Sequence, residues 1–294
     1  VNQLYVGGRG YGLRQQRSRT TKKTIYIDTP VPAKPKPTVD TAQKLKQGLV
    51  GAWIPSLGAT GNRLEDKSPY RNHGTLTNMD AATCWKASGG LGALDFDGVN
   101  DYVALPSKTE LQPAAGQRFS ISAWINPAAN VNQSIIGHGR LNGYSFYVQG
   151  NFLEFAKAGV ANTGSSVSQT PIGIGSWSHV VVTNLVNSSV QLYINGVLKR
   201  NVAFAYSYAY TNELRIGDSA NEPGFAWNGK LDDIRVWNRL LTAQEIQALY
   251  QGGRGYGFRP QRTRYELGTV SVTGGFQSSR FRRRPMFLGS GILQ

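Results

Sequence analysis

Between Gly48 and Tyr250 the chain is written as a succession of short extended segments, among them "ALDFDG", "DYVALP", "FSISAWINP", "YSFYVQG", "HVVVTNLV", "VQLYING", "LRIGD" and "KLDDIRVWN". Each is rich in β-branched and aromatic residues, and Gly, Asn, Asp or Pro stands between one and the next. The succession reads as many short strands with turn signals between them, the pattern of stacked sheets. Gly 35, Tyr 14 and Trp 6 agree with an all-β design. Asn195-Gly196 reads as a two-residue hairpin turn, because both residues tolerate the positive φ of a type I′ turn. One helix is expected, "LTAQEIQALYQGG". Thr242 and Glu245 form a capping box, Ile246, Leu249 and Tyr250 share an apolar face, and Gly252 supplies the left-handed stop.

Charge divides the chain into three. Residues 1–47 hold ten Lys and Arg against two Asp and Glu, a net +8; residues 48–250 balance fourteen against fourteen; residues 251–294 hold eight against one, a net +7. The whole excess of +15 therefore lies in two basic arms around a neutral body. Such arms suit an acidic protein surface, a polyanion or anionic lipid, the bland alternative being a pair of solvated tails. They carry no nucleic-acid-binding module, so sequence-specific nucleic acid is not an expected partner. "PVPAKPKPTVD" from Pro30 to Asp40 reads as an extended polyproline-type spacer, and "KKTIYIDT" from Lys22 as an edge strand. The division expected is an N-terminal arm 1–47, a body 48–251 and a basic tail 252–294. No run of eighteen apolar residues is present, and Cys84 is the single cysteine, so no intrachain disulfide forms.

One phrase is used twice. "LYVGGRGYGLRQQRSR" at Leu4 to Arg19 returns as "LYQGGRGYGFRPQRTR" at Leu249 to Arg264, with twelve of sixteen positions identical. Two origins are consistent with it. Either the chain was cut from a tandem array, which makes Val1 a processed end, or the segment was duplicated so that one subunit mimics another's tail. The anchors of an assembly contact would be Leu4, Tyr5, Arg9 and Tyr11 in the first copy and Leu249, Tyr250, Arg254 and Tyr256 in the second.

The ordered segments "GLVGAWIPS", "EDKSPYRNHGTLTN", "ALDFDGVNDYVALP", "FSISAWINP", "GSWSHVVVTNLVNSSVQLYINGVLK" and "LRIGD" through "WNGKLDDIRVWNRLLTAQEIQALY" resemble the laminin-G-like jelly roll of the concanavalin A-like lectin/glucanase superfamily, over about residues 48–251. The resemblance implies a sandwich of two curved antiparallel sheets. It also implies the settings in which such modules occur: bacterial surface proteins, adhesins, enzyme accessory domains and virion proteins.

Candidate sites follow. Glucanases of this fold need an acid and a nucleophile alternating on one strand, and the chain has no E-x-D-x-x-E pattern; Asp95 and Asp97 share a strand face without a third carboxylate. No enzyme is expected. Calcium is the cofactor considered, held structurally by Asp97, Asp101, Asp232 and Asp233, since two carboxylate-bearing turns could converge on one ion. The bland alternative has Asp97 and Asp101 stabilising turns and Asp233 pairing with Arg235. His73, His138 and His179 are too isolated for a zinc site, and His179 is expected to be a structural hydrogen-bonder. Phe204, Tyr206, Tyr208 and Tyr210 alternate with small residues, so a strand there would carry a stripe of rings; packing into a core or an interface is the first reading and sugar stacking the second. Tyr144, Tyr147 and Trp227 are further sugar-contact candidates. The functional expectation is a non-enzymatic structural or assembly module of a virion or cell surface (coat, fibre or decoration protein), homo-oligomeric through its tails and able to bind glycans. A carbohydrate-binding lectin or adhesin is the alternative and a glucanase-like hydrolase a distant third.

Overall fold

The structure is a computed structural model that describes residues 25–28, 39–138, 143–157, 168, 170–204, 208–220, 223–259 and 267–270. The chain divides into two compact units, Lys34–Gln261 and a second made of Val1–Ala33 with Arg262–Gln294. The larger unit is a sandwich of antiparallel sheets, the stacking that the succession of short strands suggests. One sheet runs, edge to edge, through Phe152–Lys157, Tyr144–Gln149, Gln133–Gly137, Leu214–Ile216, Tyr102–Leu105, Gly74–Thr77 and Arg63–Leu64. The other runs through Val197–Phe204, Ser188–Ile194, Ser178–Leu185, Arg118–Pro127, Asn228–Trp237, Leu91–Asp97 and Trp85–Ser88, with Leu49–Trp53 also paired to Asn228–Trp237. Neighbours in the sheets are mostly distant in sequence, which is the crossed connectivity of a jelly roll.

The main core lies between the sheets and is built by every second residue of both: Phe119, Ile121, Ala123 and Ile125 from one strand, Tyr144, Phe146 and Val148 from another. The Asn195-Gly196 turn joins Ser188–Ile194 to Val197–Phe204 with φ of 51° and 78°, the positive values a type I′ hairpin demands. The family-like stretch around Asp66 is a clamp. Its buried carboxylate accepts from the backbone N–H groups of Ala52, Ser68 and Asn72 and from the Ser68 hydroxyl, at 2.7–2.8 Å, so a long loop is tied to the sandwich without a strand of its own.

A second core covers the outer face of the sheet that contains Asn228–Trp237. The helix Ala243–Gly252 begins with the capping box: Thr242 Oγ1 accepts from Glu245 N–H, and the Glu245 carboxylate accepts from Thr242 N–H. It buries Ile246 and Leu249 with Leu49, Ala52, Ile54, Val181, Tyr193 and Trp237. Tyr250 stacks against Trp124 at 6.0 Å. The helix stops one residue later than the sequence suggests. Gly253, not Gly252, takes the positive φ of 72°, while a side chain at Gly252 would run into the Tyr256 ring. Leu249→Ala removes a side chain that is 2% exposed, and is expected to cost about 2–4 kcal/mol in denaturant unfolding; an unchanged midpoint would contradict the packing.

Both boundaries of the body move outward. A short helix, Val39–Lys44, leads into Leu45, which is buried in the second core and whose carbonyl accepts from Trp237 Nε1 at 2.8 Å. At the other end the buried chain continues past 251, through Arg254 and Tyr256. The sequence reading missed these additions because neither carries a strand pattern.

In the smaller unit, Ile25–Asp28 and Leu267–Val270 form an antiparallel pair in which Ile25 lies opposite Val270 and Asp28 opposite Leu267. Leu4, Tyr5, Arg9 and Tyr11 lie outside the described residues.

Candidate functional site

The outer faces of the two sheets are used differently. One is covered by the helix Ala243–Gly252 and the turn that follows it; the other carries the open polar surface.

The covered face ends in a buried charge network. Within Asn228–Trp237 the register slips between Asp232 and Arg235, and Asp233 adopts φ 51°, a left-handed conformation that Asp tolerates better than most residues. The bulge turns consecutive carboxylates to separate partners. Asp233 forms a two-point ion pair with Arg235, Oδ1 to Nε at 2.5 Å and Oδ2 to Nη2 at 2.9 Å, both residues being buried. Its Oδ2 also accepts from Gly255 N–H at 2.7 Å. Asp232 Oδ1 accepts from the N–H groups of Ser56 and Asp233, and Oδ2 faces the Arg254 guanidinium at 3.4 Å. Burial, and then the neighbouring Asp233 charge, pushes the Asp232 carboxyl up to about 7. Arg254 also donates to the carbonyls of Ser88 and Gly92 and lies over the Trp177 ring at 4.1 Å. Arg235 closes the circuit by donating to the Tyr256 carbonyl at 2.8 Å, with Phe258 beneath it at 5.1 Å.

The four carboxylates nominated for calcium are engaged in two separate places. Asp232 and Asp233 are engaged by guanidinium groups, and Asp97 lies four residues away along the ladder, opposite Asn228. Asp97 and Asp101 instead stabilise their own turn. Asp97 Oδ1 accepts from the N–H groups of Val99 and Asn100, and Asp101 Oδ2 accepts from Asp97 N–H. Among the described residues no three His, Cys, Asp or Glu side chains are grouped as metal ligands. Asp95, the other half of the "DFD" pair, is matched by Lys230 at 3.4 Å.

The aromatic candidates also resolve. The strand Val197–Phe204 carries the first part of this stretch, and Tyr208 and Tyr210 stand in no strand; the Phe204 side chain and Tyr206 lie outside the described residues. Tyr208 and Tyr210 turn towards the main core, where their rings lie near Tyr144 at 6.0 and 6.3 Å, and the Tyr210 hydroxyl donates to the Pro113 carbonyl at 2.7 Å. Tyr144 and Trp227 are fully buried, and Tyr147 is covered with Phe225 against its ring at 5.6 Å. All three nominated sugar contacts are therefore packed within the protein. His179 is buried between Trp124 and Tyr250, its backbone N–H donating to Asn195 Oδ1; desolvation lowers its ring pKa to about 3. It works through its backbone and its ring stacking.

The open face belongs to the sheet with Leu214–Ile216 at its centre. Leu214 and Ile216 point into the core, so Arg215 points out, with Ala104 on one side of it and Gly137 on the other in the ladder. Its guanidinium lies 4.0 Å over the Tyr102 ring and is held by Glu213 and by Asp218, the latter at 2.8 Å. All four side chains are partly exposed. Thr75 and Thr77 extend the same face on the next strand. Towards Phe152–Lys157 the face closes over Ser134, Ser145, Tyr147 and Glu154, which are buried. Burial pushes the Glu154 carboxyl up to about 7, with the Tyr147 phenol opposite it in the ladder pulling the other way. Sequence reading missed Tyr102 and Arg215. Its only signal was an arginine between two core residues in "LRIGD", and nothing in the text shows that "DYVAL", more than a hundred residues earlier, lies beside it.

Two antiparallel sheets packed face to face, with the helix Ala243–Gly252 on one outer face, make a jelly-roll sandwich. The chain belongs to the concanavalin A-like lectin/glucanase superfamily, whose laminin-G-type family model matches residues 97–247. Among solved structures it is similar to the binding domain of Paraclostridial Mosquitocidal Protein 1, at TM-score 0.52 and 16% identity over 70% of this chain and 52% of that one. It is also similar to domain 4 of AbnA, an extracellular GH43 arabinanase from Geobacillus stearothermophilus in complex with arabinotriose, at 0.53 and 19% over 68% and 96%. A third is the botulinum neurotoxin serotype D binding domain, at 0.53 and 16% over 72% and 52%. The chain thus spans about half the length of the toxin binding domains it matches. These likenesses show the fold. Among the described residues no helix is long and apolar enough to cross a membrane.

Proposed function

We propose that this chain is a non-enzymatic binding module that holds a carbohydrate on the open sheet face around Tyr102 and Arg215. The observation that carries the reading is the Arg215 guanidinium laid over Tyr102, with Glu213 and Asp218 beside it. A planar cation, an aromatic ring and two carboxylates supply the apolar face and the hydrogen-bond donors and acceptors that a sugar ring presents in turn. Ala104 and Gly137 keep the flanks low. The AbnA domain, matched over nearly its whole length, was solved with arabinotriose, and the toxin neighbours are binding domains, which supports a ligand role for the fold. The setting we infer is extracellular, as part of a cell surface or virion, where basic arms meet an acidic protein surface or polyanion.

The test is a glycan array that includes arabino-oligosaccharides, probed with the full chain and with Arg215→Ala. Binding by the full chain should fall at least about tenfold in the variant, the loss expected when a hydrogen-bonded charged contact of about 1.5 kcal/mol or more is removed. Absence of binding, or binding indifferent to Arg215, would overturn the reading.

A further inference from the structure

The groove that takes Arg254, Gly255 and Tyr256 reads a sequence that the chain carries twice. Each feature of the docked segment has a reason in the groove. Arg254 meets Asp232, two carbonyls and the Trp177 ring. Gly255 brings its N–H to Asp233 at φ 75°, where an added side chain would also meet Arg259. Tyr256 is buried in the second core and gives its carbonyl to Arg235. The three buried positions are matched by identical residues in the first copy, Arg9, Gly10 and Tyr11. So are the glycines at 252, 253 and 257, which stand as Gly7, Gly8 and Gly12. Two positions of the docked stretch differ: exposed Gln251 is Val6, and half-buried Phe258, which lies beneath Arg235, is Leu13.

The correspondence continues downstream. Thr24, Ile25 and Ile27 stand 245 positions before Thr269, Val270 and Val272, and the strand pair of the smaller unit sets Ile25 opposite its own counterpart, Val270.

We propose that the Asp232–Asp233 groove of one copy accepts Arg9, Gly10 and Tyr11 of a second copy of this chain, so that copies join by exchanging the repeated segment. At the identical positions the exchanged contacts are the same as those made within the chain, and the swap is therefore close to neutral in energy apart from the ring of Phe258, which Leu13 replaces. The covalently attached segment competes at an effective concentration on the order of millimolar, so exchange is favoured where copies are crowded, as on a surface or coat. Charge agrees at one point: Asp233 is already paired with Arg235, and Asp232 is the carboxylate that faces the guanidinium of the docked segment. The net +8 and +7 arms repel one another, so exchange should strengthen with salt screening.

The experiment places a photo-crosslinking residue at Tyr11 in the full chain. Isotopically labelled and unlabelled protein are mixed at high concentration, and the crosslinked peptides are mapped. The proposal expects crosslinks from position 11 to the groove around Leu45 and Ile54 that join labelled to unlabelled chains. They should increase several-fold when Arg254→Ala weakens the resident segment, and fall when Arg9→Ala is added. If Arg254→Ala does not fold, the salt dependence and the Arg9→Ala comparison in the otherwise unaltered chain decide. Groove crosslinks confined to single chains, or none to the groove, would overturn it. Glycan binding at Arg215 plays no part in this outcome.

Discussion

Arg235→Ala is expected to destabilise the sandwich by about 3–5 kcal/mol, the usual cost of removing one partner from a buried ion pair. The substitution leaves the Asp233 carboxylate charged and enclosed, frees the Tyr256 carbonyl from its donor, and takes the guanidinium off the Phe258 ring. It acts on the bulge, the helix exit and the docked turn together. Arg235→Lys should recover only part of the loss, because an ammonium cannot reach both carboxylate oxygens and the carbonyl in one plane. Equilibrium unfolding in denaturant measures both variants. A cost under about 1 kcal/mol for Arg235→Ala would mean that the network is wet and screened, in the manner of a surface pair.

Glu154→Gln is expected to make the protein more stable, and only above acid pH. The folded-state carboxyl is raised to about 7 from an ordinary value of 4.5, chiefly by burial. The folded state therefore holds its proton more tightly than the unfolded chain does. The stability this contributes is fully present below about pH 4.5 and is lost as pH rises through 7. Glutamine imitates the protonated form at every pH. The variant should match the wild type at pH 4.5 and exceed it at pH 8 by up to about 3 kcal/mol, at 1.36 kcal/mol for each pKa unit. His179 works in the opposite sense. Its depressed ring pKa, about 3, gives stability that is present above the unfolded value of 6.5 and lost as pH falls, but it is common to both proteins and cancels in the difference. Unfolding midpoints of the two proteins at the two pH values check this. Equal midpoints at pH 8 would mean that Glu154 is solvated.

What the sequence made legible was local. The Asn195-Gly196 hairpin and the Thr242/Glu245 capping box depend on residues within three positions of each other, so the text contains the whole mechanism. The jelly roll was legible through the succession of short strands and through the order of its motifs. The long-range choices were not. Tyr147 could be named as a ring on a strand, but nothing in its segment shows that its sheet face is closed over it and Glu154. The sequence marks Asp232 and Asp233 as carboxylates before a strand but not the bulge that gives each a different arginine. The partner Arg254, which follows more than twenty residues later, reads as the start of a tail until its carbonyl contacts and Trp177 are seen. The pairing of Tyr102 with Arg215 depends on which strands become neighbours, a property of topology that residue spacing does not carry.

The central claim, that the open sheet face is the ligand surface, is tested most directly by hydrogen exchange of the full chain. The exchange is followed by mass spectrometry with and without the strongest glycan found on the array. Bound glycan should slow exchange in the peptides that contain Tyr102–Leu105 and Glu213–Asp218 and leave the helix Ala243–Gly252 unchanged. Protection confined to that helix and the Arg254 turn, with none at Tyr102 or Arg215, would contradict it.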